Sequence, residues 1–337
     1  MRAAAAANTE ACSVKEVSAC AQANPKIVAA ALGSSSLADN LRHLEEIGAQ
    51  VSGTPGMDQA AAWAVSAFRE AGVDEVHAED SRGAQSSSSG EADQKNVVAE
   101  IRGREKPEQF VVLAADLGSG AQASSGPDDS CNVALILEAA RDIHLTGLRP
   151  RRSIRFVLFS GKEQGLRGSR AYVQAHRAEL DHAVAAVIFE NGCGRVTGFS
   201  LGGRQDLELG VREAFAVAPV DSWGIVHDTY DAPLRAGNFD FLLEGVPNLL
   251  ANREPENALA SGVPPDSAQK AATDTLKHNA AVAGVLAFAL AESEMPLGRR
   301  LSHDEVEALL RKTGLDAQMK QAGTWNDWEN GRRGRQP

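Results

Sequence analysis

Acidic side chains recur where apolar runs of this chain end: Asp116 after FVVLAA, Glu163 after FVLFSG and Glu190 after AVIF, with Asp128 and Asp129 opening a further apolar segment. Groups at the carboxyl ends of neighbouring buried strands converge in space, so these acids could line one pocket. Carboxylates about 4 Å apart repel by roughly 4 kcal/mol at an effective dielectric of 20, so a converging set must share a cation or hold protons. The stretch FVLFSGKEQG carries a cation of its own, Lys162, next to Glu163. Each residue alone also has a plain structural reading. Asp128 and Asp129, after Pro127, suit a helix cap and first turn. Lys162 and Glu163 suit a surface ion pair worth ~0–1 kcal/mol.

The elements that position these residues alternate. Strand patterns at NVVAEIRG, FVVLAADL, SIRFVLFS and AVAAVIF are near-continuously apolar, and amphipathic helices at NVALILEAARDIHL and GSRAYVQAHRAEL lie between them. Such strands are buried on both faces, which predicts an α/β fold with a mixed, mainly parallel central sheet between helix layers. Upstream, SSLADNLRHLEEIGAQ carries Leu37, Leu41, Leu44 and Ile47 at helical spacing, and MDQAAAWAVSAFREAG repeats the pattern. Downstream come helices at LELGVREAFAV and NFDFLLEG, a strand at VPNLLAN, a long helix DTLKHNAAVAGVLAFALAE and a terminal helix SHDEVEALLRKTGLDAQMKQAG. The expected organisation is a loosely attached arm over 1–34, a helical part over 35–79, a Ser-rich linker over 80–95, a core over 96–325 and a basic tail over 326–337. There is no internal repeat.

Of 337 residues, 43% are hydrophobic and 23% charged, the balance of a globular protein. A formal net charge of -11 argues against nucleic acid as a partner. The basic cluster GRRGRQP reads as a solvated tail. No apolar run approaches the roughly 20 residues that span a bilayer. MRAAAAANTEACSV lacks a Leu-rich core and makes a poor secretory signal, so the cytoplasm is the default compartment, with export if a leader was removed. Cys12, Cys20, Cys131 and Cys193 are too few for a disulfide framework and match no zinc spacing; free thiols are expected, with Cys12–Cys20 as a pairing in an oxidising compartment. Nothing in the sequence signals an oligomeric state.

The run from NVVAEIRG through FVVLAADLGS, PDDSCNVALILEAAR, IRFVLFSGKEQGLRGSRAYV and NGCGRVTGF is similar to the catalytic core of the di-zinc exopeptidases of clan MH, the leucyl aminopeptidase and glutamate carboxypeptidase type. The likeness extends through NFDFLLEGVPNLLANREPEN and the long helix, covering most of residues 36–330. It implies a zinc-exopeptidase, phosphorylase/hydrolase-like fold, with the Ser-rich linker in place of the protease-associated domain that many members insert. Several positions depart from the family pattern. A His-X-Asp element falls on Asp116 and Gly118; the metal-bridging Asp is matched by Asp128. The Glu-Glu pair of general base and ligand falls on Lys162 and Glu163, and the next acidic ligand on Glu190. The late His of the second metal has no counterpart in ENALASGVPPDSAQ.

A protonated Lys has no lone pair to take a proton from attacking water, and loss of a general base costs about 10²- to 10⁴-fold. Lys162 can instead act as an internal counter-ion for acids that in the family share metals. If a metal stays, Asp116, Asp128, Glu163 and Glu190 form an all-oxygen set suited to Mg, Ca or Mn rather than zinc. His227 is the best candidate for a replacement ligand, since acids flank it; His278 and His182 lack ligand spacing. Gly118 to Gly126 matches no phosphate loop, and Ser160 lacks the glycines and His partner of a serine nucleophile. The expected function is that of a metallo-exopeptidase homologue, catalytically impaired, with a peptide or peptide-like ligand. The alternative is an active peptidase with a remodelled metal site.

Overall fold

The computed structural model describes residues 17–81, 94–118, 128–162, 164–190, 192–215, 229, 234, 236–253 and 265–337, with side chains over the same ranges except at 17–21, 81, 94, 128 and 265–271. The strands are β1 (Glu75–Ser81), β2 (Gln94–Ile101), β3 (Lys106–Asp116), β4 (Arg152–Phe159), β5 (Ala183–Phe189), β6 (Val196–Ser200) and β7 (Asn248–Arg253). They form one seven-stranded sheet in the order β1-β2-β4-β3-β5-β7-β6. β4, β3, β5 and β7 run parallel, while β1 and β2 at one side and β6 at the other are antiparallel to their neighbours. The expected mixed, mainly parallel sheet is present.

Side chains alternate across a strand, and β3 shows why its sequence is apolar throughout. Val111, Leu113 and Ala115 enter one buried cluster; Phe110, Val112 and Ala114 enter the cluster on the opposite face. Helices cover both. The described helices are α1 (Val17–Leu32), α2 (Leu37–Ile47), α3 (Pro55–Ala71), α4 (Asp128–Leu145), α5 (Arg167–Ala175), α6 (Glu208–Ala214), α7 (Phe239–Leu243), α8 (Pro265–Glu292), α9 (His303–Thr313), α10 (Leu315–Gln321) and α11 (Trp325–Glu329). α1, α3, α4 and α8 pack on the first face; Tyr172 and Val173 of α5 and Phe241 of α7 pack on the second.

Four expectations are corrected. The arm over 1–34 is not loosely attached where it is described: Ala23, Ile27 and Ala31 of α1 are fully buried. Small residues let α1 approach α8 closely, and a Cβ added at Gly284 would meet Ile27 at 2.8 Å. The basic tail is docked rather than solvated. Trp328 is buried, Arg333 pairs with Asp240 at 2.8 Å, and the Arg335 N–H donates to the Leu243 carbonyl. The linker over 80–95 is shorter, because Ser81 pairs with Gln94 to close the β1–β2 ladder; 82–93 lie outside the described residues. The single terminal helix divides at Gly314, whose φ of +73° breaks it into α9 and α10.

α9 begins with a capping box: the Ser302 hydroxyl accepts from the Glu305 N–H, and the Glu305 carboxylate accepts from the Ser302 N–H. Ser302→Ala is expected to cost about 1 kcal/mol, a fall in Tm of about 2 °C by calorimetry. No helix among the described residues is long and apolar enough to cross a membrane.

Candidate functional site

The chain leaves β3 through α4 on one face to reach β4. It then leaves β4 through α5 on the other face to reach β5, on the far side of β3. This reversal falls at the carboxyl end of β3, the place where open α/β sheets form a ligand-binding crevice. Register fixes what faces it. Asp116, the last residue of β3, lies opposite Phe159 of β4, and Ala115 opposite Phe189 of β5. Lys162 follows Phe159 by three residues and Glu190 follows Phe189 directly, so the central strand and both its neighbours deliver an ionisable group to one edge.

A tight turn carries Lys162. Gly161 has φ +76°, the Gly165 and Leu166 N–H groups donate to the Lys162 carbonyl, and Leu166 itself is left-handed at φ 60°. A non-glycine residue in that region costs about 1–3 kcal/mol and persists where the surroundings enforce it. Gly168 enforces it here: its Cα lies so close to Ser160 that a Cβ would stand 2.0 Å from the Ser160 carbonyl oxygen.

The Lys162 Nζ is 2.8 Å from Asp129 Oδ1 and 3.6 Å from Asp116 Oδ2. Asp116 is buried, and its Oδ2 has no hydrogen-bond partner. Glu190 accepts the Gly237 N–H. Burial raises the Asp116 pKa well above the carboxylate range, and repulsion from Glu190 and Asp129 adds to it against the pull of Lys162. Burial also raises Glu190, against Lys162 and the Gly237 N–H. Burial works against the Lys162 ammonium, but Asp116 and Asp129 outweigh it and raise its pKa. The geometry is a fixed ammonium shared between two aspartates, with Asp116 the carboxyl most disposed to hold a proton.

Of the sequence-derived site residues, the structure brings Asp116, Lys162 and Glu190 together. The Asp128 side chain and all of Glu163 lie outside the described residues, as do His227 and 256–264 of ENALASGVPPDSAQ. Asp129, which the sequence offers both as a cap and as one of the converging acids, is the acid in contact with Lys162. Gly118, in place of an orienting carboxylate, has φ +151°, and a Cβ there would meet the Gln50 carbonyl oxygen at 3.1 Å. His278 bonds the Asp274 carbonyl of its own helix. Ser160 is structural: its hydroxyl accepts from the Lys95 N–H and its N–H donates to Asn96 Oδ1.

A disulfide joins Cys131 to Cys193, with Cα atoms 5.2 Å apart. This corrects the free-thiol expectation for these two; a separation of 62 residues hid the contact. The Cys12–Cys20 pairing lies outside the described residues.

Among the described residues no three His, Cys, Asp or Glu groups stand together as a metal site. Lys162 places an ammonium against Asp116 and Asp129, where a metal shared by those carboxylates would have to sit. With the Lys162 ammonium against Asp116 and Asp129, the described pair Asp116 and Glu190 does not by itself make a zinc site.

This fold, with charged groups gathered at the carboxyl edge of β3, β4 and β5, defines a zinc-exopeptidase-type architecture. Residues 96–222 match Peptidase family M28. Carboxypeptidase Q of Xenopus laevis is 37% identical over 92 residues, 27% of this chain and 20% of that protein, so the match spans about one fifth of the relative's length. The crystal structure of a Peptidase M28 precursor from Shewanella amazonensis SB2B has a TM-score of 0.71 at 16% identity, covering 84% of this chain and 99% of that one. BSAP, a zinc aminopeptidase from Bacillus subtilis, has a TM-score of 0.56 at 14% identity, covering 74% and 95%. Over residues 96–222 the chain is similar to this peptidase family, and its fold is that of these neighbours.

Proposed function

We propose that this chain is a clan MH exopeptidase homologue that has lost catalysis and uses the crevice to bind a peptide or peptide-like ligand. The observation that carries this reading is the Lys162 Nζ at 2.8 Å from Asp129 and 3.6 Å from Asp116. Peptide hydrolysis of this class uses metal-polarised water and a carboxylate that accepts its proton. At the base position this chain has an ammonium whose pKa its partners raise, so it stays protonated and accepts nothing. Its charge offsets the carboxylates of the crevice and leaves a preformed polar cleft.

The second reading is an active peptidase whose zinc, or Mg, Ca or Mn, is held by Asp116, Asp128, Glu163 and Glu190; an acid at each of these four positions, Asp116 standing where the family has a His, favours it. Metal content of the purified, unchelated protein by mass spectrometry separates the two. Our reading expects no stoichiometric metal after zinc loading, no release of terminal residues from a peptide library, and calorimetric binding of library peptides. Near two zinc per chain with hydrolysis would overturn it. The Cys131–Cys193 disulfide supports an oxidising compartment over the cytoplasmic default.

A further inference from the structure

The disulfide is placed against the crevice. Cys131 lies in the first turn of α4, two residues after Asp129, which holds Lys162; Cys193 lies three residues after Glu190. The bond therefore ties the α4 wall of the crevice to the loop that continues from Glu190. That loop has a second anchor on α8: Asn279 accepts from the Val196 N–H at 3.0 Å and donates to the Gly194 carbonyl at 2.9 Å. Cys131 is 2% exposed, packed with Leu37, Ala134 and Leu276, whereas Cys193 is half-buried. A thiol from solution thus reaches Cys193 first.

We propose that Cys131–Cys193 is a redox-controlled brace that sets the separation of the two crevice walls, so that the oxidised chain binds ligand more tightly than the reduced chain. The step balances with a dithiol as reductant. One thiolate attacks Cys193 Sγ, the protein S–S bond breaks, and Cys131 leaves as thiolate. The second thiolate attacks the mixed disulfide and releases Cys193 as the reductant closes its own disulfide; two electrons enter the protein and two thiols result. Loss of the bond frees α4 from the loop, while Asn279 keeps residues 194–196 on α8. The outcome is local loosening rather than unfolding. The ligand clause rests on the peptide-binding reading above; the brace does not.

The test uses the full chain in a C12S/C20S background, where Cys131 and Cys193 are the remaining cysteines. Hydrogen exchange by mass spectrometry is compared with and without dithiothreitol, with alkylation confirming two thiols per reduced chain. Reduction is expected to speed exchange about tenfold over 128–134 and 190–196 and to leave β3 and β4 unchanged. C131A/C193A should show the fast pattern without reductant, and peptide affinity should fall in both. Unchanged exchange after two thiols are trapped, or a bond that resists the reductant in the folded protein, overturns the brace. Exchange that changes as expected with no peptide bound in either form supports the brace and removes the peptide-binding reading.

Discussion

Lys162→Met is expected to lower stability by about 3–5 kcal/mol at neutral pH, because removing one partner of a buried ion pair leaves the other charges uncompensated. The Lys162 side chain is 29% exposed, while Asp116 and Asp129 are 3% and 15% exposed, so the carboxylates bear the loss. Without the ammonium, Asp116, already raised by burial and its neighbours, rises further, and Glu190 rises with it. A carboxyl whose folded pKa lies above its unfolded value keeps stability below the unfolded pKa and loses it as pH climbs through the folded one. The deficit of the variant is therefore small near about pH 4 and widens toward about pH 8. Lys162→Arg, which keeps the charge, should behave close to the parent. Vacating the ammonium also lets the acids recruit a divalent ion: calcium or manganese should raise the Tm of Lys162→Met and leave the parent unmoved. Equal melting curves for parent and variant, with and without metal, would remove the counter-ion role and with it the main support for lost catalysis.

What the sequence revealed and what it hid follow from where the energy lies. β3, β4 and β5 were legible because burial on both faces makes every position apolar, and their ends marked the acids of the site. β1 and β6 escaped notice. EVHAEDS is polar at an edge, held by the β2 ladder and by the Glu79–His176 contact at 3.0 Å, which reaches 97 residues along the chain. α1 was misread because alanine looks uninformative until a partner such as Gly284 permits close approach. The C-terminal arginines read as a solvated run, since nothing local shows that Asp240 waits for Arg333. At the site, Lys162 was legible as a departure from a family pattern. Its contact with Asp129 was not, because a helix-opening aspartate reads equally as a cap until the tertiary structure sets β4 beside the start of α4. The disulfide was hidden for the same reason: its two halves meet only after β4 and β5 have flanked β3.

Asp142→Asn is expected to remove a pH-dependent loss of stability that originates away from the site. Asp142 is fully buried on α4, and its Oδ2 has no hydrogen-bond partner. One turn earlier stands Glu138, also fully buried, whose Oε2 accepts from the Ser36 N–H and hydroxyl and whose Oε1 accepts from Arg141. Burial, with repulsion from Glu138 behind it, raises the Asp142 pKa to about 8, against the weaker pull of Arg141 and Lys277. The unfolded chain releases this proton near 3.8. Between those values the folded state holds a proton that the unfolded state does not, so stability falls as pH rises, by up to about 1.4 kcal/mol per pH unit. Asn matches the protonated carboxyl in shape and has nothing to ionise. Parent and variant should therefore unfold at similar urea concentrations near about pH 4, and the variant should be more stable by about 3–5 kcal/mol near about pH 8. Asp116, Glu190 and Glu244 also have raised pKa values, so the parent's slope is steeper than one proton and the variant retains the remainder. The difference between the two curves isolates Asp142. A gap that stays constant with pH would show that this carboxyl ionises in the folded protein as it does in the unfolded chain. In that case Arg141 and Lys277 stabilise the charge more strongly than burial and Glu138 oppose it.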